Sequence, residues 1–307
     1  MLVSNMFSEA WVMFKQTVLS FIEDDALSRG AAIAFYAATS IAPVLLIVIA
    51  IAGLAFGRAA AQNAIILELS GLMGQQTADV LQSALASAAG KSAGIWATII
   101  GFAALVTTAS GVFSEMQSAL NVIWKVKPKT ITLSRLFQTR AIGLGLVATL
   151  GFLLIVSLTV SAGLAAFGDY LGSIAPIEKL ILTIINFALS LSLLAVLFAA
   201  IYKVLPDRQI QWRDVTVGAL VTAILFTIGK TLIGWYLGST AIGSSYGAAG
   251  GLIVFLLWVY YSVQIFLLGA EFTKIYANRK GSKKLHPVGR KIFSADKNST
   301  EAIKKDR

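Results

Sequence analysis

The stretch "VTVGALVTAILFTIGKTLIGWYL" (Val215–Leu237) contains a single charged residue, Lys230. A helix rises about 1.5 Å per residue, so this stretch is long enough to cross the roughly 30 Å hydrocarbon core of a bilayer. Strands of a membrane barrel would need only about 9–11 residues and would alternate polar and apolar side chains. We therefore predict a transmembrane helix with one lysine inside it.

Five other apolar stretches of similar length occur in the chain, and the six together predict an all-α integral membrane protein with six transmembrane helices. The other five predicted spans are Ala31–Phe56, Gly94–Phe113, Ala141–Phe167, Leu180–Tyr202 and Gly250–Leu268. The composition agrees, because 57% of the 307 residues are hydrophobic and only 13% are charged. A mean hydropathy of +0.79 exceeds what a soluble fold of this length needs.

Lysines and arginines predict the orientation of these helices. They concentrate at the amino end, in the second and fourth connections and in the tail, and they are sparse in the other three connections. Because basic residues are retained on the cytoplasmic side, both termini are expected inside. The net charge of +10 then reflects topology, with anionic lipids as a partner. Nucleic acid is not an expected partner, since the charges are scattered without aromatic stacking platforms.

Three segments outside the spans have patterns of their own. The apolar side chains of residues 1–30 recur at steps of four and three, which predicts an N-terminal amphipathic helix in the membrane interface. These side chains are Phe7, Trp11, Phe14, Val18 and Phe21. In the outer connection Gly57–Ala93, "TADVLQSALASA" is also two-sided and predicts one or two short helices at the outer mouth. Residues 31–276 form the predicted six-helix domain, and the basic tail, residues 277–307, is predicted to be disordered.

Residues able to carry out catalysis are too few and too scattered to predict an enzyme. The one histidine, His286, lies in the tail and there is no cysteine, so no metal site or His-activated nucleophile is expected in the bundle. Three carboxylates lie near span ends, and Asp169 is expected on the opposite side from Glu115 and Glu271. They are too far apart for acid–base chemistry. "GLGLVA" (Gly143–Ala148) matches a dinucleotide fingerprint but lies inside a predicted span without a preceding strand. No catalytic residue, metal or cofactor is predicted.

Five stretches stand out for their order along the chain. They are RGAAIAFYAATSIAPVLL (Arg29–Leu46), SALNVIWKVK (Ser118–Lys127), LPDRQIQWRDVTVGAL (Leu205–Leu220), TIGK (Thr227–Lys230) and YGAAGGLIVFLLWVYYSVQIFLLGAEF (Tyr246–Phe272). With them, residues 10–277 resemble the YihY/virulence factor BrkB family of bacterial inner-membrane proteins. The resemblance implies a six-helix inner-membrane protein tied by proposal to envelope lipid handling, transport and serum resistance. The family's former label, ribonuclease BN, is regarded as mistaken.

Several residues expected near the inner side are candidates for polar packing or gating. These candidates are Tyr36, Ser40, Pro43, Asn121 and Glu271. Pro43 removes a backbone donor from the first span, which gives either a kink for packing or a hinge for gating. Trp124 is expected to anchor at headgroup depth. Glu271 precedes Lys274 by three residues, which predicts an inner-boundary ion pair, with a proton relay as the alternative.

Lys230 is the leading candidate for a substrate-binding residue. An ammonium at the centre of a span costs roughly 2.5–3.5 kcal/mol, and the small or polar residues that share its helix face predict that it points into the bundle. These residues are Ala219, Ala223, Thr227 and Gly234. By helical rise, Asn186 and Ser161 lie at a similar depth, and Asp169 is a nearby carboxylate. Either these groups form a structural network, or Lys230 binds an anionic headgroup or solute from the outer leaflet.

Two functions from different classes stay open. The first is a transporter or flippase-like protein that handles an anionic lipid or envelope precursor. The second is a structural scaffold that assembles through helix faces and uses its basic tail to bind lipid or a partner. The glycine spacings Gly234–Gly238 and Gly247–Gly251 suit close helix contacts under either function. The sequence has no ATP-binding loop, so transport would be driven by a gradient or a partner.

Overall fold

The computed structural model describes residues 2–73, 75–89, 111–126, 143, 145, 176–239 and 250–281. All regular secondary structure in these residues is α-helical, which confirms the all-α prediction for this part of the chain. The helices are α1 (Leu2–Glu23), α2 (Ala26–Phe56), α3 (Arg58–Met73), α4 (Gln75–Ala89), α5 (Pro176–Val204), α6 (Trp212–Ser239) and α7 (Gly250–Arg279). A further helical segment, residues 111–123, precedes α5.

Three of these helices are long and apolar enough to cross a membrane, by length and composition. The candidate spans are Ile184–Val204 in α5, Trp212–Leu237 in α6 and Gly250–Arg279 in α7. They coincide with the predicted fourth, fifth and sixth spans to within a few residues at most ends, although the last extends to Arg279. The predicted first span lies within α2, and the second and third lie outside the described residues apart from positions 111–113, 143 and 145. The count of six therefore stays a prediction.

The core of the described bundle is aromatic. Helix α6 packs against both α5 and α7, and Tyr202 of α5 stacks on Phe266 of α7 with ring centroids 5.2 Å apart. Phe198 meets Phe226 of α6 edge to face at 5.7 Å. The buried Tyr202 hydroxyl donates to the Phe266 carbonyl at 2.7 Å, which satisfies a phenol that would be costly to leave unpaired in an apolar core.

Two glycines let α6 and α7 approach closely. A Cβ added at Gly269 of α7 would lie 2.0 Å from Thr222 Oγ1, and one at Gly218 of α6 would lie 1.8 Å from Thr273 Oγ1. Each threonine hydroxyl donates to the carbonyl four residues earlier on its own helix, at 2.7 Å. Each helix therefore supplies one glycine socket and one threonine knob, an arrangement typical of membrane helix pairs.

Helices α3 and α4 confirm the short helices predicted in the outer connection. Leu81 and Leu85 of α4 are buried, whereas Asp79, Gln82 and Ser83 are exposed, as the two-sided pattern predicted. Leu81 forms a small buried cluster with Phe255 of α7. The connection thus packs along the sides of α2 and α7.

Helix α1 confirms a helix at the amino end, while its interfacial location stays a prediction. The helix packs on α7 and buries Met13 and Thr17. Trp11 and Phe14, on the predicted apolar face, are exposed. Val18 and Phe21 on the same face are half-buried, and Phe21 packs against the core, so this face is exposed only at Trp11 and Phe14 among its described side chains. Residues 282–307, most of the predicted tail, lie outside the described residues.

Candidate functional site

The turn between α1 and α2 places a carboxylate inside the bundle. The Asp24 N–H donates to the Ser20 carbonyl at 2.9 Å and so continues the last turn of α1. Asp25 then takes the left-handed conformation with φ 53°, which Asp tolerates better than most residues, and its carboxylate accepts a bond from Ser28 Oγ at 2.9 Å. The reversal of the chain leaves the Asp24 side chain only 3% exposed at the start of α2.

The helical segment 111–123 ends on a lysine in a position that usually holds glycine. The Val126 N–H donates to the Asn121 carbonyl at 2.8 Å and the Lys125 N–H to the Val122 carbonyl at 2.9 Å, which together form a Schellman motif. Lys125 therefore has φ 53°, a conformation that costs a non-glycine residue roughly 1–2 kcal/mol. Its Nζ pairs with Oδ1 of Asp24, so the strained residue carries an ion pair to a buried carboxylate.

Helix α7 supplies the other two charged groups. Lys274 Nζ lies 2.6 Å from Glu271 Oε2 and 3.3 Å from Asp24 Oδ2. The side chain of Glu271 is 0% exposed and that of Lys274 is 12% exposed, whereas that of Lys125 is 65% exposed. We call Asp24, Lys125, Glu271 and Lys274 the charge cluster. It joins three separate segments of the chain at one end of the bundle, and it contains the predicted Glu271–Lys274 ion pair.

Competing effects set the pKa of Asp24. Burial by itself raises the pKa of this carboxyl. Hydrogen bonding with Glu271 and Lys125, together with the positive charges of Lys274 and Lys125, lowers it by more. The pKa of Asp24 therefore lies below its ordinary value of 3.8, and the group is ionised at neutral pH.

A second set of polar contacts fastens the α5–α6 connection to the same end. Two hydrogen bonds join Asn121 and Asp207: Asn121 Nδ2 donates to Oδ2 of Asp207 at 3.1 Å, and the backbone N–H of Asp207 donates to Oδ1 of Asn121 at 2.8 Å. Arg208 lies 5.8 Å from the centre of the Trp124 ring and donates to the Trp124 carbonyl at 2.6 Å. Trp124 is 1% exposed, so the expectation that it anchors at headgroup depth is wrong. It packs inside the protein beneath an arginine.

The other predicted inner-side residues lie deeper in the bundle. Ser40 is buried and donates to the Tyr36 carbonyl at 2.8 Å, and α2 continues through Pro43. Tyr36 is exposed on one side. Its ring packs against Gly111, where an added Cβ would lie 2.9 Å from Tyr36 Cδ1. By helical rise these positions are on the order of 20 Å from Asp24, so they do not join the charge cluster. The kink and the hinge at Pro43 both stay predictions.

Lys230 shares one face of α6 with Ala219, Ala223, Thr227 and Gly234, and its direction into the bundle stays a prediction. Ala219 and Ala223 on this face are buried, and Lys230 is half-buried beside Gly229, where a Cβ would lie 2.3 Å from Ile265 Cδ1 of α7. Among the residues that the structure describes, no ion pair or hydrogen bond to Lys230 is found.

The structure describes only one of the three predicted partners of Lys230. Asn186 has an exposed side chain on α5, and Ser161 and Asp169 lie outside the described residues. The polar layer proposed around Lys230, and its role in binding, stay predictions.

Sequence reasoning missed Asp24 and Lys125 as site residues. Their partners are distant in the chain: Lys125 follows Asp24 by 101 residues and Lys274 by 250. The available signal was three acidic residues, Glu23, Asp24 and Asp25, immediately before an apolar span at an end otherwise rich in basic residues. An acidic side chain at this end of the bundle is stabilised by basic partners.

Comparison with known proteins places these features in a family. The family model described as "Virulence factor BrkB" matches residues 17–291. The UPF0761 membrane protein of Methylibium petroleiphilum is 31% identical over 173 residues, which are 56% of this chain and 40% of the relative. The one from an Enterobacter species is 33% identical over 205 residues, 64% of each chain, and that of Mannheimia succiniciproducens is 29% identical over 204 residues, 66% of this chain and 67% of the relative.

The matched segment thus spans less than half of the Methylibium relative and about two thirds of the other two. No solved structure matches the chain significantly. The region matched by the family model contains the whole charge cluster and all three candidate spans. The chain is therefore a member of the virulence factor BrkB family of membrane proteins.

Proposed function

We propose that this chain is a multi-pass inner-membrane transport protein, rather than an enzyme, and that it moves an anionic lipid or envelope precursor through a site containing Lys230. The observation that carries the proposal is a half-buried lysine within a candidate span, without an ion pair among the described residues. Intramembrane charges usually mark substrate or ion pathways. A headgroup phosphate or carboxylate would supply the counter-charge.

The depth of Lys230 supports a binding role over simple snorkelling. Lys230 lies roughly 10 Å along the helix from Leu237, where the candidate span ends, and a lysine side chain reaches only about 6 Å. Trp235 and Tyr236 are exposed near that end, as side chains at a membrane–water boundary usually are. An anionic group that enters from this boundary would meet Lys230 inside the bundle.

The distribution of basic residues supports an orientation with both termini in the cytoplasm. The end of the bundle that holds the charge cluster contains four basic residues: Lys125, Lys274, Lys203 and Arg208. Basic residues are retained on the cytoplasmic side of bacterial inner membranes. Lys230 would then face the outer leaflet side, and α1 would lie along the inner interface.

Substitution of Lys230 tests the proposal. Lys230→Met keeps the stem and removes the charge, so we expect a folded protein that no longer restores the phenotype of a deletion strain, whereas Lys230→Arg retains part of the activity. The matched control is Lys15→Met, an exposed lysine on α1. A direct readout is reduction by dithionite of a fluorescent phosphatidylglycerol that reaches the outer leaflet of proteoliposomes.

Full activity of a folded Lys230→Met variant in both assays would remove Lys230 from the mechanism. The scaffold alternative would then be favoured, because it needs only the helix contacts. Loss of folding in Lys230→Met alone would instead point to a structural network around the lysine.

A further inference from the structure

Two acidic side chains of the charge cluster share one lysine inside the protein. Asp24 Oδ2 and Glu271 Oε2 both lie within ion-pair distance of Lys274 Nζ, at 3.3 and 2.6 Å. Both carboxyl groups are almost completely buried, with 3% and 0% of the side chain exposed. Two like charges in such surroundings repel each other, and Lys274 is the cation that both of them share.

Glu271 has an ion pair with Lys274, but among the described residues it is poorly supplied with hydrogen bonds. In its ionised form the Glu271 side chain can only accept hydrogen bonds. Neither of its oxygens accepts a well-directed hydrogen bond from any described residue, despite the close approach of Lys274 to Oε2. An unsatisfied buried carboxylate is costly. A proton on Glu271 turns the same side chain into a donor, and the ionised Asp24 is the acceptor beside it.

The charged groups that contact Asp24 or Glu271 in the described structure come from three segments. Lys125 follows the helical segment 111–123, Lys274 belongs to α7, and Arg29 of α2 donates to the Asp24 carbonyl at 3.1 Å. With Asp24 and Glu271 ionised, the charge cluster has no net charge, whereas one bound proton gives it a charge of +1.

We propose that Asp24 and Glu271 bind one proton between them, and that its release loosens the α1–α2 turn from α7 at this end of the bundle. In the protonated state the Glu271 hydroxyl donates to Asp24, and Lys125 and Lys274 hold Asp24 from two sides. When the proton leaves, Glu271 becomes a carboxylate paired with Lys274, and the two acids repel. Because Asp24 lies at the turn, the repulsion acts on the junction of α1 and α2.

If this site couples to transport, the ion that drives movement of the anionic substrate is a proton. This use rests on the proposed transport function, but proton binding itself does not. The two can fail separately, so the experiment reads protonation and loosening in the purified full-length protein without any substrate.

Infrared difference spectroscopy during a pH titration detects the proton directly. We expect the carbonyl band of a carboxylic acid to disappear as the pH rises, and to be absent from Glu271→Gln. The matched control, Glu23→Gln, changes an exposed acid near the same turn and should leave the band unchanged.

Two further variants should move the transition in opposite directions. Lys274→Met removes a positive neighbour, so the band should persist to a pH about one unit or more higher. Asp24→Asn removes a negative neighbour, so the band should vanish at a lower pH. These opposite shifts carry the test even if Glu271→Gln fails to fold.

Cysteine labelling detects the loosening, because the chain has no natural cysteine. Ala26 is buried beside the turn, and Leu27 is exposed next to it. The labelling rate of Ala26→Cys, divided by that of Leu27→Cys to remove the intrinsic pH dependence of thiols, should rise several-fold with pH. In the Glu271→Gln background the ratio should stay low at every pH.

A band that does not depend on Glu271, or the same shift in both neighbour variants, would overturn proton binding at this site. A labelling ratio that stays constant while the band titrates would overturn the loosening. Failure of the lipid assay with Lys230 variants would touch neither result.

Discussion

At the residue scale, two strained positions meet at one buried carboxylate. Asp25 and Lys125 are the non-glycine residues with positive φ in the described structure, both at 53°. One adjoins Asp24 in sequence and the other binds it through its side chain. Such conformations persist only where surrounding contacts hold them, and they cluster at switches and sites. The strain at Lys125 is therefore tied to the charge cluster.

Replacement of Lys125 separates backbone strain from the ion pair. Lys125→Gly relieves the left-handed conformation, which is worth roughly 1 kcal/mol or more, and loses the pair of a largely exposed lysine, which is worth about 0–1 kcal/mol. We expect Lys125→Gly to be as stable as the wild type or slightly more stable in thermal unfolding in detergent. Lys125→Ala keeps the strain without the pair and should be less stable than Lys125→Gly by about 1 kcal/mol. Equal stability of the two variants would show that the turn imposes no strain.

The lowered pKa of Asp24 predicts a pH-dependent contribution to stability. Its ionised form stabilises the folded state above the ordinary value of 3.8, and this contribution is lost as the pH falls through the lower folded-state pKa. Asp24→Asn should thus cost about 1–3 kcal/mol at neutral pH, and less below pH 3.8. Unfolding in detergent at the two pH values measures the difference, with the exposed Asp25→Asn as the control. A loss of the same size at both pH values would contradict the ionic role.

At the element scale, the helices follow from local sequence patterns, and the charge cluster does not. The pattern around Leu81 predicted which side of α4 is buried, and two of the small residues on the predicted face of α6, Ala219 and Ala223, are buried. Both depend on residues within two turns of one another. The charge cluster depends on which helix ends meet in space, and residue patterns within single helices do not specify that.

The same limit applies to packing detail. Glycine spacing in the sequence suggested close contacts at Gly234–Gly238 and Gly247–Gly251, whereas the tight sockets that the structure describes between α6 and α7 are at Gly218 and Gly269. Glycine is frequent in membrane helices, so spacing alone does not select the contacts. Selection requires the facing residue, here Thr273 or Thr222.

Substitution of Gly269 tests the α6–α7 socket. The added Cβ of Gly269→Ala would lie 2.0 Å from Thr222 Oγ1 and 2.7 Å from the Tyr202 hydroxyl, so we expect a loss of about 1–3 kcal/mol in thermal unfolding. Gly145→Ala is the matched control, because no atom of the described residues lies within 4 Å of a Cβ added there. The double variant Gly269→Ala/Thr222→Ala removes the knob and should recover part of the loss. No recovery would mean that the helices separate for another reason.

At the scale of the whole molecule, the two proposed sites lie at different depths. Lys230 follows Asp214 by about four and a half helical turns, which places it roughly 24 Å along α6 from the end that holds the charge cluster. A transporter needs sites for substrate and driving ion whose states are linked through the bundle, and α7 contacts both regions: Ile265 lies beside Gly229, and Glu271 belongs to the charge cluster. If both proposed functions hold, α7 is the physical connection between the substrate site and the proton site.

The orientation of the bundle is the prediction on which both proposals depend, and single cysteines in the natural cysteine-free background test it. Gln82 is exposed on α4 in the predicted outer connection, and Gln209 is exposed in the α5–α6 connection beside the charge cluster. Because basic residues gather at the Gln209 end, we expect an impermeant thiol reagent to label Gln82→Cys in intact cells and Gln209→Cys only after permeabilisation. A cysteine at Lys15, exposed on α1, should behave like Gln209→Cys. Labelling of Gln209→Cys in intact cells would invert the bundle, and the charge cluster would then take its protons from the outside.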